Sequence, residues 1–178
     1  GYVRFEPFLT NLEFCRELKN SGCVMLQLGL ESGDAEVLNA MHKGIDLERV
    51  RIILRNLQTV GIATYVYVLF GTPSEDEKAA RRTVDFVSEF AEAISYLNPA
   101  IFNLPLYSNE SASLKTTYFY EGDLTLYTDF EHPLGWDRKQ VRRFLRQTFQ
   151  PHPQIKPILK ANPPFFTSNH APFFHMDF

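Results

Sequence analysis

The sequence is poor in cysteine, with only Cys15 and Cys23 among its 178 residues. A pair this close, on a predicted helix and the turn after it, is not a disulfide framework, so both thiols are expected to be reduced and half-buried. No C-x-x-C or H-x-x-x-H pair offers a self-contained metal site. The histidines share no ligand spacing and are expected on the surface: His42, His132, His152, His170 and His175.

Long apolar runs and a large excess of charge are also absent. No run approaches the roughly 20 residues that a membrane span needs, so no membrane partner is predicted. The net charge of −3 gives no broad surface for nucleic acid or an anionic membrane. The amino end carries no basic leader before an apolar stretch, so no signal peptide is predicted and the chain is expected to be cytoplasmic.

What the sequence does contain is an alternation of apolar and amphipathic segments. Apolar runs predict strands over residues 3–5, 24–30, 62–70 and 100–106, and apolar residues at helical spacing predict helices over 11–20, 34–41, 46–57 and 75–93. Asp46 and Gly61 are the expected caps of the third helix, and Ser74 with Glu77 predicts a capping box for the fourth. This order indicates an α/β fold with a parallel sheet, in which ligand sites lie at the carboxyl ends of the strands.

After Tyr107 the pattern changes. Residues 116–120 and 124–128 predict a β-hairpin, and residues 137–149 predict an amphipathic helix. From Pro151 onward proline and aromatic residues dominate, which predicts an irregular segment with one helical turn near 155–160. We therefore divide the chain into residues 1–110 and a mixed α+β carboxy-terminal extension, residues 111–178.

Five short motifs resemble, in order and spacing, the second half of the radical S-adenosylmethionine (radical SAM) superfamily barrel. They are Arg4 on an incoming strand, Leu28-Gly29-Leu30-Glu31-Ser32-Gly33, Val37-Leu38-x-x-Met41-x-Lys43-Gly44, Gly61-Ile62 and Gly71-Thr72-Pro73-Ser74-Glu75. The resemblance covers roughly residues 2–106 and implies parallel (βα) repeats forming about half of a partial TIM-type barrel. It is strongest for branches with a cobalamin-binding front domain and for those similar to oxygen-independent coproporphyrinogen oxidase.

The C-x-x-x-C-x-x-C segment that holds the 4Fe-4S cluster in that superfamily is missing, and Cys15 and Cys23 cannot replace it. The resemblance thus implies a carboxy-terminal fragment, inactive alone and without catalytic residues of its own. Its parent would cleave SAM reductively at the cluster to generate a 5′-deoxyadenosyl radical, with the amino-terminal barrel half as partner. Cobalamin use and the identity of a small-molecule substrate are left open. The alternative is a non-catalytic binding or scaffold domain that kept the fold and lost the cluster.

The resemblance assigns SAM-binding roles to several residues. Glu31, with Ser32 beside it, would contact the ribose or methionyl part of SAM, although Glu31 could instead cap or pair with the helix that starts at Asp34. Lys43 would pair with the SAM carboxylate, or could be a solvated lysine. Arg4 and Tyr67 would face the barrel lumen, although Arg4 could be an ion-pair partner of Glu31 and Tyr67 could belong to the core.

Other residues would shape the adenine site. Gly71 and Pro73 are expected to set the backbone of a loop that lies against the adenine. Asn103 and Pro105, on the predicted last strand, would lie where relatives contact the adenine through their backbone. The Gly-Thr-Pro that is frequent in that region is absent, because this chain has Tyr107-Ser108-Asn109-Glu110 there. Exposed strand edges and an exposed lumen face predict that the chain alone forms homo-oligomers or aggregates, unless its tail covers them.

Overall fold

The computed structural model describes residues 2–117 and 126–162. Four parallel strands form one sheet in the order β1-β2-β3-β4. The strands are β1 (Tyr2–Val3), β2 (Met25–Glu31), β3 (Ala63–Phe70) and β4 (Tyr96–Ile101). They alternate with helices α1 (Leu12–Asn20), α2 (Ala35–Ala40), α3 (Leu47–Val60) and α4 (Glu77–Glu89). This arrangement is a partial α/β barrel, as the sequence predicts.

The two faces of the sheet differ in what covers them. Alternate residues of β2 and β3, such as Leu28 and Val66, are fully buried beneath the helices, where they pack with Ile53 and Leu57 of α3. The opposite face carries a separate cluster: Met25, Ala63, Tyr65 and Tyr96, with Val24 and Tyr67 packed against it. The rings of Tyr65 and Tyr67 stack with centroids 5.1 Å apart, which confirms that these residues share one face.

The predicted caps of α3 are confirmed, whereas the predicted start of α4 is wrong. Asp46 accepts a hydrogen bond from the Glu48 amide, and Gly61 ends α3 in the left-handed conformation. Helix α4 is capped by Asp76, not Ser74, and ends at Glu89, short of the predicted residue 93. The reason is that the Glu75 carboxylate turns back to the Gly71 amide.

Two strand predictions also need correction. Strand β1 ends at Val3, so Arg4 lies beyond it. Strand β4 begins at Tyr96 and contains Asn98 and Pro99, which were predicted to precede it. Proline is tolerated there because β4 is the last strand in the described sheet order, and an edge strand leaves some N–H groups unpaired.

The end of the predicted fourth strand belongs to a second sheet. Strand β5 (Leu104–Pro105) pairs antiparallel with β6 (Tyr127–Thr128). The predicted hairpin falls partly on residues 118–125, outside the described residues. On its flanks, Thr116 forms an antiparallel bridge with Phe130.

The rest of the extension follows the sequence pattern. After the short α5 (Asn109–Ser113) come α6 (Arg138–Phe144), a π-helical turn over Leu145–Phe149, and α7 (Ile155–Ala161). The predicted helix and helical turn are therefore confirmed, while the Pro/aromatic tail from residue 163 lies outside the described residues. Side chains of the extension join the core of the barrel repeats: Trp136, Val141, Phe144, Leu145, Phe149, Ile155 and Ile158. No helix in the described ranges is long and apolar enough to cross a membrane.

Candidate functional site

The carboxyl end of β2 brings a carboxylate and an ammonium group together. A bulge in the pairing with β3 lies between Gly29 and Glu31, and Glu31 adopts a positive φ of 64°. Its side chain folds over Gly29, where a Cβ atom would lie 2.8 Å from the carboxylate Oε1. Lys43 Nζ lies 3.6 Å from the same oxygen. The pair is part-exposed, and its two charges are complementary to a group that carries both an ammonium and a carboxylate.

The residues after Glu31 anchor this strand end to α4. The buried Ser32 hydroxyl contacts Thr83 Oγ1 at 3.2 Å and accepts a hydrogen bond from the Asp34 amide. Asp34 itself caps α2, accepting from the Val37 amide at 2.9 Å. The predicted alternative of Glu31 as the cap of this helix is therefore wrong, and the Ser32 hydroxyl is engaged within the protein.

Tyr67 and Glu31 line the same depression, whereas Arg4 does not form an ion pair with Glu31. The Tyr67 hydroxyl donates to Gln27 Oε1 at 2.8 Å. An open depression of about 260 Å³ is lined by Tyr67, Gln27, Gly29 and Glu31, among others. Arg4 is exposed, and within the described residues the ion-pair partner of Glu31 is Lys43.

The carboxyl end of β3 is buried and polar. Gly71 has φ of 80°, and its amide donates to Glu75 Oε2. The same oxygen accepts from Trp136 Nε1 at 3.1 Å. Glu75 is fully buried, and burial raises its pKa to about 7, with smaller contributions from Asp34 and Asp76. The carboxyl group is thus poised between its neutral and charged forms near neutral pH. Pro73 is half-buried in the same loop.

A histidine from the extension also reaches this loop. His132 is buried, which corrects its expected surface position, and its Nε2 lies 2.9 Å from the Thr72 carbonyl oxygen. Burial lowers the pKa of His132. Sequence reasoning missed Glu75, His132 and Trp136 as site residues. The available signal was Trp136, the only tryptophan of the chain.

Asn103 and Pro105 lie beyond the barrel strand on which they were predicted. Asn103 Oδ1 accepts from Arg138 Nη1 at 2.7 Å, and Pro105 belongs to β5. The residues that flank Asn103 line a small cavity of about 40 Å³ together with Gly71 and Trp136. These positions therefore lie near the carboxyl end of β3, on the side of α6.

The cysteines do not fit an iron–sulfur cluster. The Cys15 thiol is fully buried and donates to the Leu9 carbonyl at 3.3 Å, and Cys23 is half-buried. Burial raises the pKa of both thiols, which opposes the thiolate form that binds iron. Within residues 2–117 and 126–162, no three His, Cys, Asp or Glu side chains are grouped to hold a metal.

The proteins to which the chain is similar include a curated enzyme, by sequence, and enzymes with solved structures. It is 31% identical over 83 residues to bacteriochlorophyllide d C-12(1)-methyltransferase of Chlorobaculum tepidum, covering 46% of this chain and 18% of that one. It superposes on coproporphyrinogen III oxidase (HemN) from Escherichia coli with a TM-score of 0.57 and 19% identity, over 82% of this chain and 31% of that one.

The second structural neighbour is the radical SAM methyltransferase TsrM from Kitasatospora setae, solved with cobalamin and a 4Fe-4S cluster. The TM-score is 0.50 and the identity 27%, over 59% of this chain and 20% of that one. The chain thus spans less than a third of each of these proteins. The family model of the radical SAM superfamily matches residues 2–87, the part that carries both Glu31 and the loop Gly71–Glu75. This match to residues 2–87 supports the resemblance of the chain to the radical SAM superfamily.

Proposed function

We propose that this chain supplies part of the SAM site of a radical SAM enzyme, with the cluster bound by an amino-terminal barrel half. The observation that carries the proposal is the Glu31–Lys43 pair, which follows a bulge at the carboxyl end of β2. The two side chains offer a carboxylate for the α-ammonium or ribose hydroxyls of SAM and an ammonium group for its carboxylate. The absence of a side chain at Gly29 leaves room for the Glu31 carboxylate.

The residues of the chain would bind and orient SAM. When bound beside a reduced cluster, SAM supplies the hydrogen-abstracting chemistry of the superfamily. Glu31 and Lys43 would hold the amino-acid part of SAM. The left-handed Gly71 would let the backbone of the loop after β3 approach the adenine. Tyr67 and Gln27, joined by a hydrogen bond, line the lumen side of the depression and help to keep reacting groups away from water.

The amino-terminal barrel half would pair with β1. Within the described sheet, β1 is an end strand, and an end strand can accept a further strand beside it. A chain without this partner should self-associate, and light scattering over a range of concentrations would measure it. A monodisperse monomer would contradict the proposed partner.

The substrate class and cobalamin use are extensions of this proposal. Two of the similar proteins bear tetrapyrrole names, a bacteriochlorophyllide and coproporphyrinogen III, and the TsrM structure holds cobalamin. These names support a small organic molecule as substrate and justify a test for bound cobalamin by its absorption spectrum in the purified full-length protein.

The proposal is tested by SAM binding to the full-length gene product, purified without oxygen, in isothermal titration calorimetry. Glu31→Gln removes the charge that faces the ammonium group and is expected to weaken SAM binding about tenfold. Glu36→Gln is the matched control, because Glu36 is an exposed acid of α2 with no ion pair among the described residues. Equal SAM affinity in wild type and Glu31→Gln would contradict the assigned role.

The second candidate is a binding or scaffold domain that kept the fold and lost the cluster. The poor fit of Cys15 and Cys23 to a cluster favours it. Iron and labile sulfide content, measured beside turnover of SAM to 5′-deoxyadenosine, separates the two functions. About four irons per chain with deoxyadenosine formed supports the enzyme. SAM binding without iron or turnover supports the binding domain.

A further inference from the structure

We infer that the carboxy-terminal extension positions the SAM-binding loop of the barrel, through Trp136 and His132. The loop, here called the β3 loop, comprises Gly71–Glu75. The part of the extension that contacts it, here called the clamp segment, comprises residues 132–141. The inference rests on the proposed function, because it assigns a role toward SAM to residues outside the family match at 2–87.

The first contact fixes the Glu75 side chain. Glu75 Oε2 accepts hydrogen bonds from the Gly71 amide and from Trp136 Nε1. The first bond closes the loop on itself, and the second ties the closed loop to the clamp segment. Glu75 is fully buried and Trp136 is 5% exposed, so water does not compete for either bond.

The second contact fixes the tautomer of His132. Its Nδ1 accepts from the amides of Leu134 and Trp136, both at 3.2 Å. Nδ1 therefore carries no proton, and Nε2–H is left to donate to the Thr72 carbonyl at 2.9 Å. The ring is neutral, consistent with a pKa that burial lowers. Thus the same histidine shapes the clamp segment and bonds the β3 loop.

The third contact sets the distance between the two segments. A Cβ atom on Gly71 would lie 3.1 Å from Val141 Cγ2, so the α6 side chain packs against the glycine backbone. The loop is therefore held at Gly71, Thr72 and Glu75 by three residues of the clamp segment.

The polarity of the loop argues for a ligand-related role beyond packing. A buried carboxyl group without a cationic partner is unfavourable, and an apolar residue would fill the same space at lower cost. Within the described part of the chain, Glu75 Oε1 and Thr72 Oγ1 are buried and have no hydrogen-bond partner. Glu75 instead orients the amide of a left-handed glycine at the strand end where the ligand of a parallel sheet binds.

The inference is tested by SAM affinity in the full-length protein carrying Trp136→Phe. This change keeps an aromatic ring and removes the N–H donor to Glu75, so we expect about tenfold weaker SAM binding by calorimetry. As single variants, Glu75→Gln keeps an oxygen acceptor for both donors and should bind SAM within about twofold of wild type, whereas Glu75→Leu removes the acceptor and should bind SAM more weakly. Amide hydrogen exchange of the peptide containing Gly71 should accelerate in Trp136→Phe.

A matched control separates positioning from stability. Ile155→Val removes one buried methylene in α7, away from the β3 loop, and should lower the melting temperature without changing SAM affinity. If Trp136→Phe does not fold, His132→Leu tests the same coupling through Thr72, with His132→Gln as its conservative counterpart. Wild-type affinity in a folded Trp136→Phe or His132→Leu overturns the inference and leaves the proposed function intact. A wild-type protein that binds no SAM overturns both.

Discussion

The carboxyl ends of β2 and β3 share a residue with positive φ and a carboxyl group, but they differ in burial and in the part of the chain that anchors them. Each has a residue with positive φ, Glu31 at 64° and Gly71 at 80°. At β2 the charged pair is part-exposed, and the backbone behind it is anchored on α4 through Thr83. At β3 the carboxyl group is fully buried, and its anchor Trp136 comes about 60 residues later in the chain.

This difference separates binding groups from supporting groups. The Glu31–Lys43 pair contributes little to stability, because solvent screens part-exposed charges, so both groups remain available to a ligand. The Glu75 site has no such freedom, because each of its hydrogen bonds is made inside the core. Substitutions of the part-exposed pair should therefore change ligand binding with little loss of stability, whereas substitutions of the buried groups behind either strand end should lower stability.

The largest effect on stability is expected from Gly33→Ala, behind the β2 end. A Cβ atom there would lie 2.7 Å from the Thr83 Cα and 2.8 Å from the Arg82 carbonyl oxygen. Because both obstacles are helix backbone, α4 must move, and we expect a loss of about 3 kcal/mol in the free energy of unfolding. Urea denaturation measures it.

Gly22→Ala gives a comparison in which steric contact plays no part. Gly22 has φ of 90° and no atom within 4 Å of the added Cβ, so the cost there comes from the left-handed backbone, whereas Gly33 is not left-handed and its cost comes from the contact with α4. That cost should be about 1 kcal/mol. An equal loss in the two variants would mean that α4 does not restrict the β2 end.

The second effect is a pH dependence that belongs to the β3 end. Burial raises the pKa of Glu75 to about 7, from an unfolded value near 4.5. The folded state therefore binds the proton more tightly, and the resulting stability is present below pH 4.5 and lost as pH rises through 7. Between pH 5 and 8 the free energy of unfolding of wild type should fall by about 2 kcal/mol relative to Glu75→Gln.

The comparison with Glu75→Gln is needed because His132 acts in the opposite direction. Its pKa is lowered on folding, so its contribution is present above its unfolded value of 6.5 and is lost on acidification. Both proteins keep His132, and the difference between their urea midpoints isolates Glu75. Parallel pH profiles would show that Glu75 keeps the same protonation state across this range.

The third and smaller effect tests the local anchoring at β2. Asp34 is almost fully buried, caps α2 and forms an ion pair with Arg82 of α4. Asp34→Ala should cost about 1.5 kcal/mol, because a cap and a charged hydrogen bond are lost together. Asp46→Ala removes an exposed cap alone and should cost about 0.7 kcal/mol. Thermal unfolding of the two variants gives the comparison.

The same contrast explains which parts of the structure could be predicted from sequence. The β2 end could be predicted because its motif is contiguous in sequence. The caps of α3 could be predicted because residues such as Asp46 are local signals. The partial barrel followed from the alternation of strands and helices. The alternative in which Arg4 forms an ion pair with Glu31 is wrong, because Lys43 is the partner of Glu31 in the structure.

The β3 end could not be predicted in the same way, because its partners are distant in sequence. Glu75 follows Ser74 in a pattern typical of a helix start, yet its carboxylate bonds to the Gly71 amide and to the distant Trp136, and the helix is capped by Asp76. Likewise, nothing local marks His132 as buried beside Thr72. Residues 102–106 continue the apolar pattern of β4, yet β5 pairs with β6 of the extension. Long-range contacts overrode the local pattern in each case.

The smallest effect on stability, and the most informative one for function, is expected from Lys43→Met. The Lys43 side chain is 42% exposed, its partner oxygen lies 3.6 Å away, and such pairs contribute less than about 0.5 kcal/mol. The melting temperature should therefore be unchanged within error, while the proposed contact with the SAM carboxylate is lost and SAM affinity falls about tenfold. Lys19→Met is the control, because Lys19 is a lysine on α1 whose Nζ donates to the Gly61 carbonyl, at the amino end of β3 and not at a carboxyl end. If Lys43→Met lowers stability but keeps SAM affinity, the Glu31–Lys43 pair stabilises the fold and does not bind SAM.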